Sequence, residues 1–483
     1  MPTAKKKKSS TAASPGKPGP SRFQAKAEEL LLKRESAWTR KDASSHAEVF
    51  AFAEEYKAFL AAAKTERLAV DRLAALCRKH GFTEFSGKGK LAPGAKFYEV
   101  TRGKSILAGI VGKDPASLRL IGSHGDSPRL DLKPHPLYED GAELALLRSH
   151  YYGGVKKYQW LNLPLAIHGV AHTKAGRRVE IHLGENEGDP VFIIPDLLPH
   201  LAQEQMKKEA ARLVEGEELN VIVGHLPVPD PAVKDRIKLA VLIHLHERWG
   251  LCEEDLACAE LELVPAGKPV DVGFDRAILG GYGQDDRVCA YTSFRALTAL
   301  ARPAHTAVAW VSDKEETGSS GNTGADSNFL ERFARAYVAK VPGGLDPVEF
   351  LSRAKSISAD VTSALDATFK GPYEASNTSV FGRGVTLQKY VGAGGKGGTN
   401  DAHAEYMHFL RDLAARSRIP WQTGEFGKVD HGGGGTISKF MARYGMDCVD
   451  AGPCVLGMHS PVELTSKSDV YQAYRFYRAF LES

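Results

Sequence analysis

A chain of 483 residues with 43% apolar content can bury more than one core, so two domains are expected. The formal charge of +4 is small for that size and comes partly from the run Lys5-Lys6-Lys7-Lys8, which implies neither a nucleic-acid partner nor a membrane. Six cysteines, Cys77, Cys252, Cys258, Cys289, Cys448 and Cys454, contain no Cys-x-x-Cys pair and read as reduced thiols of a cytoplasmic protein.

Residues 1–24 are rich in Lys, Ser, Ala, Pro and Gly. They lack the apolar core of a secretory signal and the length of a membrane span, and predict a disordered basic tail. From 25 to 80 apolar residues recur at helical spacing, as in Leu68-Ala69-Val70 with Leu73 and Leu76. Short strands follow at Phe97-Tyr98-Glu99-Val100, Ser105 to Val111 and Ser117 to Gly122. Residues 25–127 thus form the first part of an α/β domain. Over 128–268 the texture changes to Gly- and Pro-punctuated β segments such as Val179-Glu180-Ile181-His182-Leu183, which predicts an inserted β-rich domain. Strand and helix alternate again over 269–483, as a doubly wound sheet requires.

The candidate site residues sit where strands end. Thr306-Ala307-Val308-Ala309-Trp310-Val311 leads into Asp313-Lys314-Glu315-Glu316, and two adjacent carboxylates repel each other unless cations or protons hold them. One can bind metal while its neighbour activates water; Glu315 is the candidate base. Ser123-His124-Gly125-Asp126 follows another strand, with Asp126 placed to accept the second ring N–H of His124 and fix a ligand tautomer. Gly283-Gln284-Asp285-Asp286 opens a helix, Ser358-Ala359-Asp360 ends a strand, and Met458-His459-Ser460 leaves an apolar run. Each alone reads as a turn, a helix cap or a core histidine. Together they supply nitrogen and carboxylate ligands for two divalent ions, zinc first, with manganese or cobalt also suited. Two such ions activate a water and polarise a scissile carbonyl.

These residues resemble the M18 metallo-aminopeptidases, the family of aspartyl aminopeptidase and aminopeptidase I, in its bacterial branch. The likeness runs from about residue 25 to the C-terminus. It rests on His-x-Asp-Ser-Pro at His124, Gln-Asp-Asp-Arg at Asp285, Glu315-Glu316 before Thr317-Gly318-Ser319, Ser-Ala-Asp at Asp360, and Met-His-Ser at His459. It implies an αβα-sandwich dimetal peptidase domain interrupted by an inserted β-rich dimerisation domain, and dimers that assemble into a tetrahedral dodecamer. It further implies that Asp285 bridges the metals, that His124 and Asp360 complete one site and Glu316 and His459 the other, and that Glu315 is the general base. Peptides are the implied substrates. Glu180-Ile181-His182-Leu183-Gly184 resembles the segment that sends a histidine into a neighbouring subunit's site, so His182 is a candidate catalytic residue in trans.

There are departures. Many aspartyl aminopeptidases carry a histidine three residues beyond the Ser-Ala-Asp aspartate, where this chain has Ser363, which weakens the carry-over of acidic-residue specificity. Lys389 stands near the family's substrate-binding lysine, with one extra residue before it. Other motifs fail. In Gly394-Gly395-Lys396-Gly397 the lysine lacks the following Ser or Thr of a phosphate loop, His244-Leu245-His246-Glu247 lacks zincin spacing, and no Gly-x-Ser-x-Gly is present. The reading is a cytoplasmic dimetal aminopeptidase; a dimetal amidase or deacylase on small amides uses the same ligands, and a non-catalytic assembly protein would lack some of them.

Overall fold

Alternation along the apolar strands builds the larger sheet. In the strand His305–Ser312, Ala307, Ala309 and Val311 enter one buried cluster while Val308 and Trp310 enter another, as side chains on opposite faces must. Burial on both faces means that both are covered. A computed structural model of the chain describes residue 1 and residues 21–32, 35–40, 44–86 and 89–483. The basic run at 5–8, with the rest of 2–20 of the expected tail, lies outside the described residues.

The chain divides into two units, Met1–Glu35 and Ser36–Ser483. In the first, the helix Arg22–Leu30 opens on a reciprocal cap: Ser21 Oγ accepts from Gln24 N at 3.2 Å, and Gln24 Oε1 accepts from Ser21 N at 2.6 Å. Residues 22–24, read as tail, therefore form a helical turn.

In the second unit a nine-stranded sheet runs Thr83–Glu84, Lys96–Thr101, Ser105–Ile110, His305–Ser312, Asp114–His124, Lys355–Ser358, Asp447–Gly452, Val385–Gln388 and Trp421–Thr423. Its centre is parallel, with Asp114–His124 flanked by His305–Ser312 and Lys355–Ser358. Ser105–Ile110 runs antiparallel to both neighbours and Val385–Gln388 antiparallel to Asp447–Gly452, so the sheet is mixed. The helices His46–Ala62, Glu66–Lys79, Gln284–Thr298, Ala404–Arg416 and Lys467–Glu482 contribute to the core on one face, and Phe329–Val338, Pro347–Ser352 and Ser438–Ala442 to the core on the other. The result is an αβα sandwich. The helical stretch read over 25–80 is interrupted before Glu66, where Thr65 Oγ1 caps the next helix by accepting from Leu68 N at 3.3 Å.

A six-stranded antiparallel sheet has the order Arg178–Leu183, Leu165–His172, Glu260–Pro265, Arg129–Asp140, Leu144–Tyr152, Asn220–Gly224. It owns a separate core that includes Leu130, Trp160, Ile167, Ile181 and Leu263. The helix Arg236–Trp249 closes this core with Ile237, Val241 and Leu245, one face at helical spacing.

The expectation of one doubly wound sheet over 269–483 needs correction. Val270–Val272, Ile278–Gly281, Glu463–Ser466, Cys454–Leu456 and Thr362–Ser363 form a separate five-stranded sheet. None of these strands exceeds four residues, too short to show a period of two. Among the described residues no helix is long and apolar enough to cross a membrane.

Candidate metal centre

Three expected site elements leave the carboxyl ends of adjacent parallel strands, where open α/β sheets hold their ligands. His124 is the last residue of its strand and pairs in register with Ser312, just ahead of the turn Glu315–Thr317. Asp360 follows Lys355–Ser358, whose Ser358 pairs with Gly122. The small sheet supplies the rest. Gly281 lies opposite Glu463, which sets Asp285, at the start of the helix Gln284–Thr298, beside the turn that carries His459. That turn holds His459 at φ 66°, a left-handed conformation uncommon outside glycine.

Asp285 stands between the two histidines. Its Oδ1 is 3.3 Å from His124 Nε2 and its Oδ2 is 3.2 Å from His459 Nε2. Glu316 Oε2 is 3.3 Å from His459 Nε2, while Glu315 Oε2 and Asp360 Oδ1 each lie 3.9 Å from His124 Nε2. Ligand atoms of His124, Asp285 and Glu316 lie within 4.8 Å of one another, as do those of His124, Asp286 and Asp360. The other ring nitrogens are occupied. His124 Nδ1 is 3.1 Å from the Asp126 carbonyl and 3.3 Å from Asp126 Oδ1, and His459 Nδ1 is 2.9 Å from the Gly154 carbonyl. A carbonyl oxygen only accepts, so Nδ1 carries the proton and Nε2 turns its lone pair inward.

The buried donor set fits a metal. His124 Nε2, Glu316 Oε1 and Asp286 Oδ1 are buried without a hydrogen-bond partner, and each such atom costs about 1–3 kcal/mol if nothing satisfies it. Cations answer that deficit, and imidazole with carboxylate suits zinc and its first-row neighbours.

Four supporting groups were not legible in the sequence in these roles. Asp126, expected to touch only the ring of His124, also accepts from Glu315 N and Glu316 N, both at 3.2 Å, and so grips the turn that carries both glutamates. Tyr152 donates to the same carboxylate at 2.8 Å. Glu463 accepts from His459 N at 2.7 Å and from Asp285 N at 3.1 Å, tying two ligand segments together. Tyr152 ends a strand of the β-rich sheet and Gly154 lies just beyond it, so that part of the chain reaches the site. An alanine at 154 would place its Cβ 3.3 Å from His459 Nδ1. Gly154→Ala is therefore expected to weaken metal affinity about 10- to 100-fold, the usual cost of disturbing a ligand's outer partner. Metal titration checks this, and unchanged affinity would show that the ring is oriented by other contacts.

Burial pushes Glu315 up to about 7; Asp126 and Asp285 add to the rise, and His124 and His459 oppose it. Burial raises Glu316 and Asp360 as well, reinforced by Asp285 and Asp286 respectively. For His459 burial opposes the charge, but Asp285 carries it up to about 9. Burial likewise disfavours a charged Asp285, yet His124 and His459 hold its carboxyl below the usual range. A divalent cation among these groups would pull the glutamates back toward the charged form.

The cluster opens into a cavity of about 530 Å³ lined by Val361, Gln388, Val391, Phe426, Lys439 and Met458 besides the acids and His459. Gly433, Gly434 and Gly435 are on its wall. Gly392, Gly394 and Gly395 line a second cavity of about 340 Å³ that shares Val391 and Phe426 with the first. Lys389, the candidate substrate-binding lysine, is not among the residues that line this cavity. Gln388 turns into the cavity, so the next side chain along the chain points away, and the Lys389 ammonium pairs with Asp401. The lysine on the wall is Lys439. His182 is also outside the cavity of its own chain and lies on the strand Arg178–Leu183.

Residues 59–481 match the family model described as aminopeptidase I zinc metalloprotease (M18). A probable M18 family aminopeptidase 1 of Borrelia garinii subsp. bavariensis is 44% identical over 457 residues, 93% of this chain and 99% of the relative. The crystal structure of an M18 family aminopeptidase from Thermotoga maritima is similar at a TM-score of 0.90 and 42% identity, covering 93% of this chain and 99% of that one. The mApe1 dodecamer of S. cerevisiae shares the fold at a TM-score of 0.72 and 22% identity, covering 89% and 97%.

Proposed function

The chain belongs to the M18 family of zinc metallo-aminopeptidases, and from that premise we propose that it removes N-terminal residues from peptides at a centre for two metal ions shared through Asp285. The observation that carries this reading is the position of Asp285, one oxygen toward His124 and the other toward His459. His124 and Asp360 would complete one site, and Glu316 and His459 the other. When bound, the ions supply Lewis acidity for the scissile carbonyl and lower the pKa of water.

The side chains do the rest. Glu315 takes a proton from the attacking water and returns it to the amine as the C–N bond breaks. Asp126 acts as a positioning residue, because it holds both glutamate amides and faces the ring of His124. The apolar walls, Val361, Val391, Phe426 and Met458, take the N-terminal side chain and exclude water. His182 acts on a partner subunit's substrate as a hydrogen-bond donor to the carbonyl oxygen. Its location outside its own cavity supports this, as does the exposed apolar surface of Val191, Leu197, Leu198, Leu201 and Met206 on the same β-rich unit. That surface favours a dimer through the 128–268 domain, and the dodecameric state of a relative with the same fold favours higher assembly. The free state of all six cysteines fits a cytoplasmic enzyme.

The test is turnover of a panel of aminoacyl chromogenic amides before and after chelation, with metals counted during add-back. Activity is expected to vanish on chelation and to return with two ions per chain. Full recovery with one ion, or activity in metal-stripped protein, would overturn the two-ion centre.

A further inference from the structure

We propose that His168 is a positioning residue that holds Nδ1 of His182, so that only Nε2 of His182 is offered to a substrate; this rests on the assignment of His182 to the partner's active site. The two histidines lie directly opposite each other on the antiparallel strands Leu165–His172 and Arg178–Leu183. Their Nδ1 atoms are 3.1 Å apart. His168 is 3% exposed, and its Nε2 lies 3.1 Å from Glu185 Oε2. Glu185 Oε1 in turn lies 3.2 Å from Lys64 Nζ, which is fixed from behind by the Pro265 and Gly267 carbonyls at 3.0 and 2.6 Å. The loop that carries Glu185 is closed by Asp189 Oδ2, which accepts from Gly184 N, Asn186 N and Asn186 Nδ2. An apolar cross-strand pair would fill this position without the desolvation cost of such a string.

The arrangement decides where protons sit. Two Nδ1 atoms at this distance share one proton. Burial disfavours a charged Glu185, but His168 and Lys64 hold its carboxyl below the usual range, so it is an anion. A carboxylate only accepts, so Nε2 of His168 turns its N–H to Glu185 and its Nδ1 is left to engage His182. Burial and His168 together hold His182 below its ordinary range, and with Nδ1 engaged by His168 only Nε2 of His182 is left to face a substrate. This nitrogen is the one that can reach a carbonyl oxygen. The charged groups facing the pair are Glu185, Lys64, Glu262, directly opposite His168 on Glu260–Pro265, and Glu180, whose Oε2 is 3.7 Å from His182 Nε2, with Arg72 and Asp189 on the wall of the cavity of about 270 Å³ that the pair lines.

The experiment compares Glu185→Gln, His168→Phe and His182→Ala in the full-length assembled enzyme on one aminoacyl amide, with metal content and native mass recorded. Glu185→Gln and His168→Phe are expected to lower kcat on the order of 10- to 100-fold, the scale for misplacing a reacting group, with KM, metal content and assembly unchanged. In Glu185→Gln the limb of the kcat profile that His182 sets should also move to lower pH, because Glu185 is one of the groups that raise that imidazole. A merely structural contact would not move that limb. Wild-type rate and profile in Glu185→Gln, with His182→Ala inactive, would overturn the relay and leave His182 in place. Wild-type rate in His182→Ala would overturn the assignment on which it rests. If His168→Phe fails to assemble, Glu185→Gln, which keeps the shape of the side chain, decides alone.

Discussion

Glu315→Gln is expected to retain its metals and its assembly and to lose turnover by about 10²- to 10⁴-fold, the range that a positioned general base contributes. The amide keeps the size of the carboxylate, and the backbone N–H of residue 315 can still donate to Asp126, so the turn is preserved. Glu316→Ala should behave differently. Glu316 Oε1 is buried without a hydrogen-bond partner and Oε2 is 3.3 Å from His459 Nε2, so its removal takes away a ligand and should strip metal together with activity. Metal content by mass spectrometry and kcat on the same preparations separate the two outcomes. Near-normal turnover in Glu315→Gln, or metal loss there with retention in Glu316→Ala, would reverse the two assignments.

His182→Ala is expected to bind metal normally and still lose about 10²- to 10³-fold in kcat, as when a single donor to a developing oxyanion is removed. Mixing it with Glu315→Gln under conditions of subunit exchange should restore part of the turnover. A mixed dimer can assemble one site with Glu315 from one chain and His182 from the other. The mixture remaining as inactive as its components, with exchange established by native mass spectrometry, would place His182 in cis or outside the site.

Sequence alone supplied the candidate ligands of the proposed centre. His124, Glu315, Glu316 and Asp360 follow apolar strands that could be read locally, and those strands are parallel neighbours; Glu315, Glu316 and Asp360 line the cavity with Asp285 and His459, and His124 Nε2 lies 3.3 Å from Asp285 Oδ1. It also placed the β-rich stretch, since the change in texture at 128–268 is a local property of composition. Tertiary structure alone decided what holds the ligands. Glu463 reaches Asp285 across 178 positions and Gly154 meets His459 across 305, and no local period encodes such contacts. Lys389 shows the same limit in reverse: position in a motif cannot say which way a side chain turns after a strand ends, and here Asp401 takes its charge while Lys439 faces the cavity. The five-stranded sheet escaped notice for a related reason. Strands of two to four residues exist only through their hydrogen-bonded partners, and two of the pairings, Ile278–Gly281 with Glu463–Ser466 and Thr362–Ser363 with Cys454–Leu456, join distant parts of the chain.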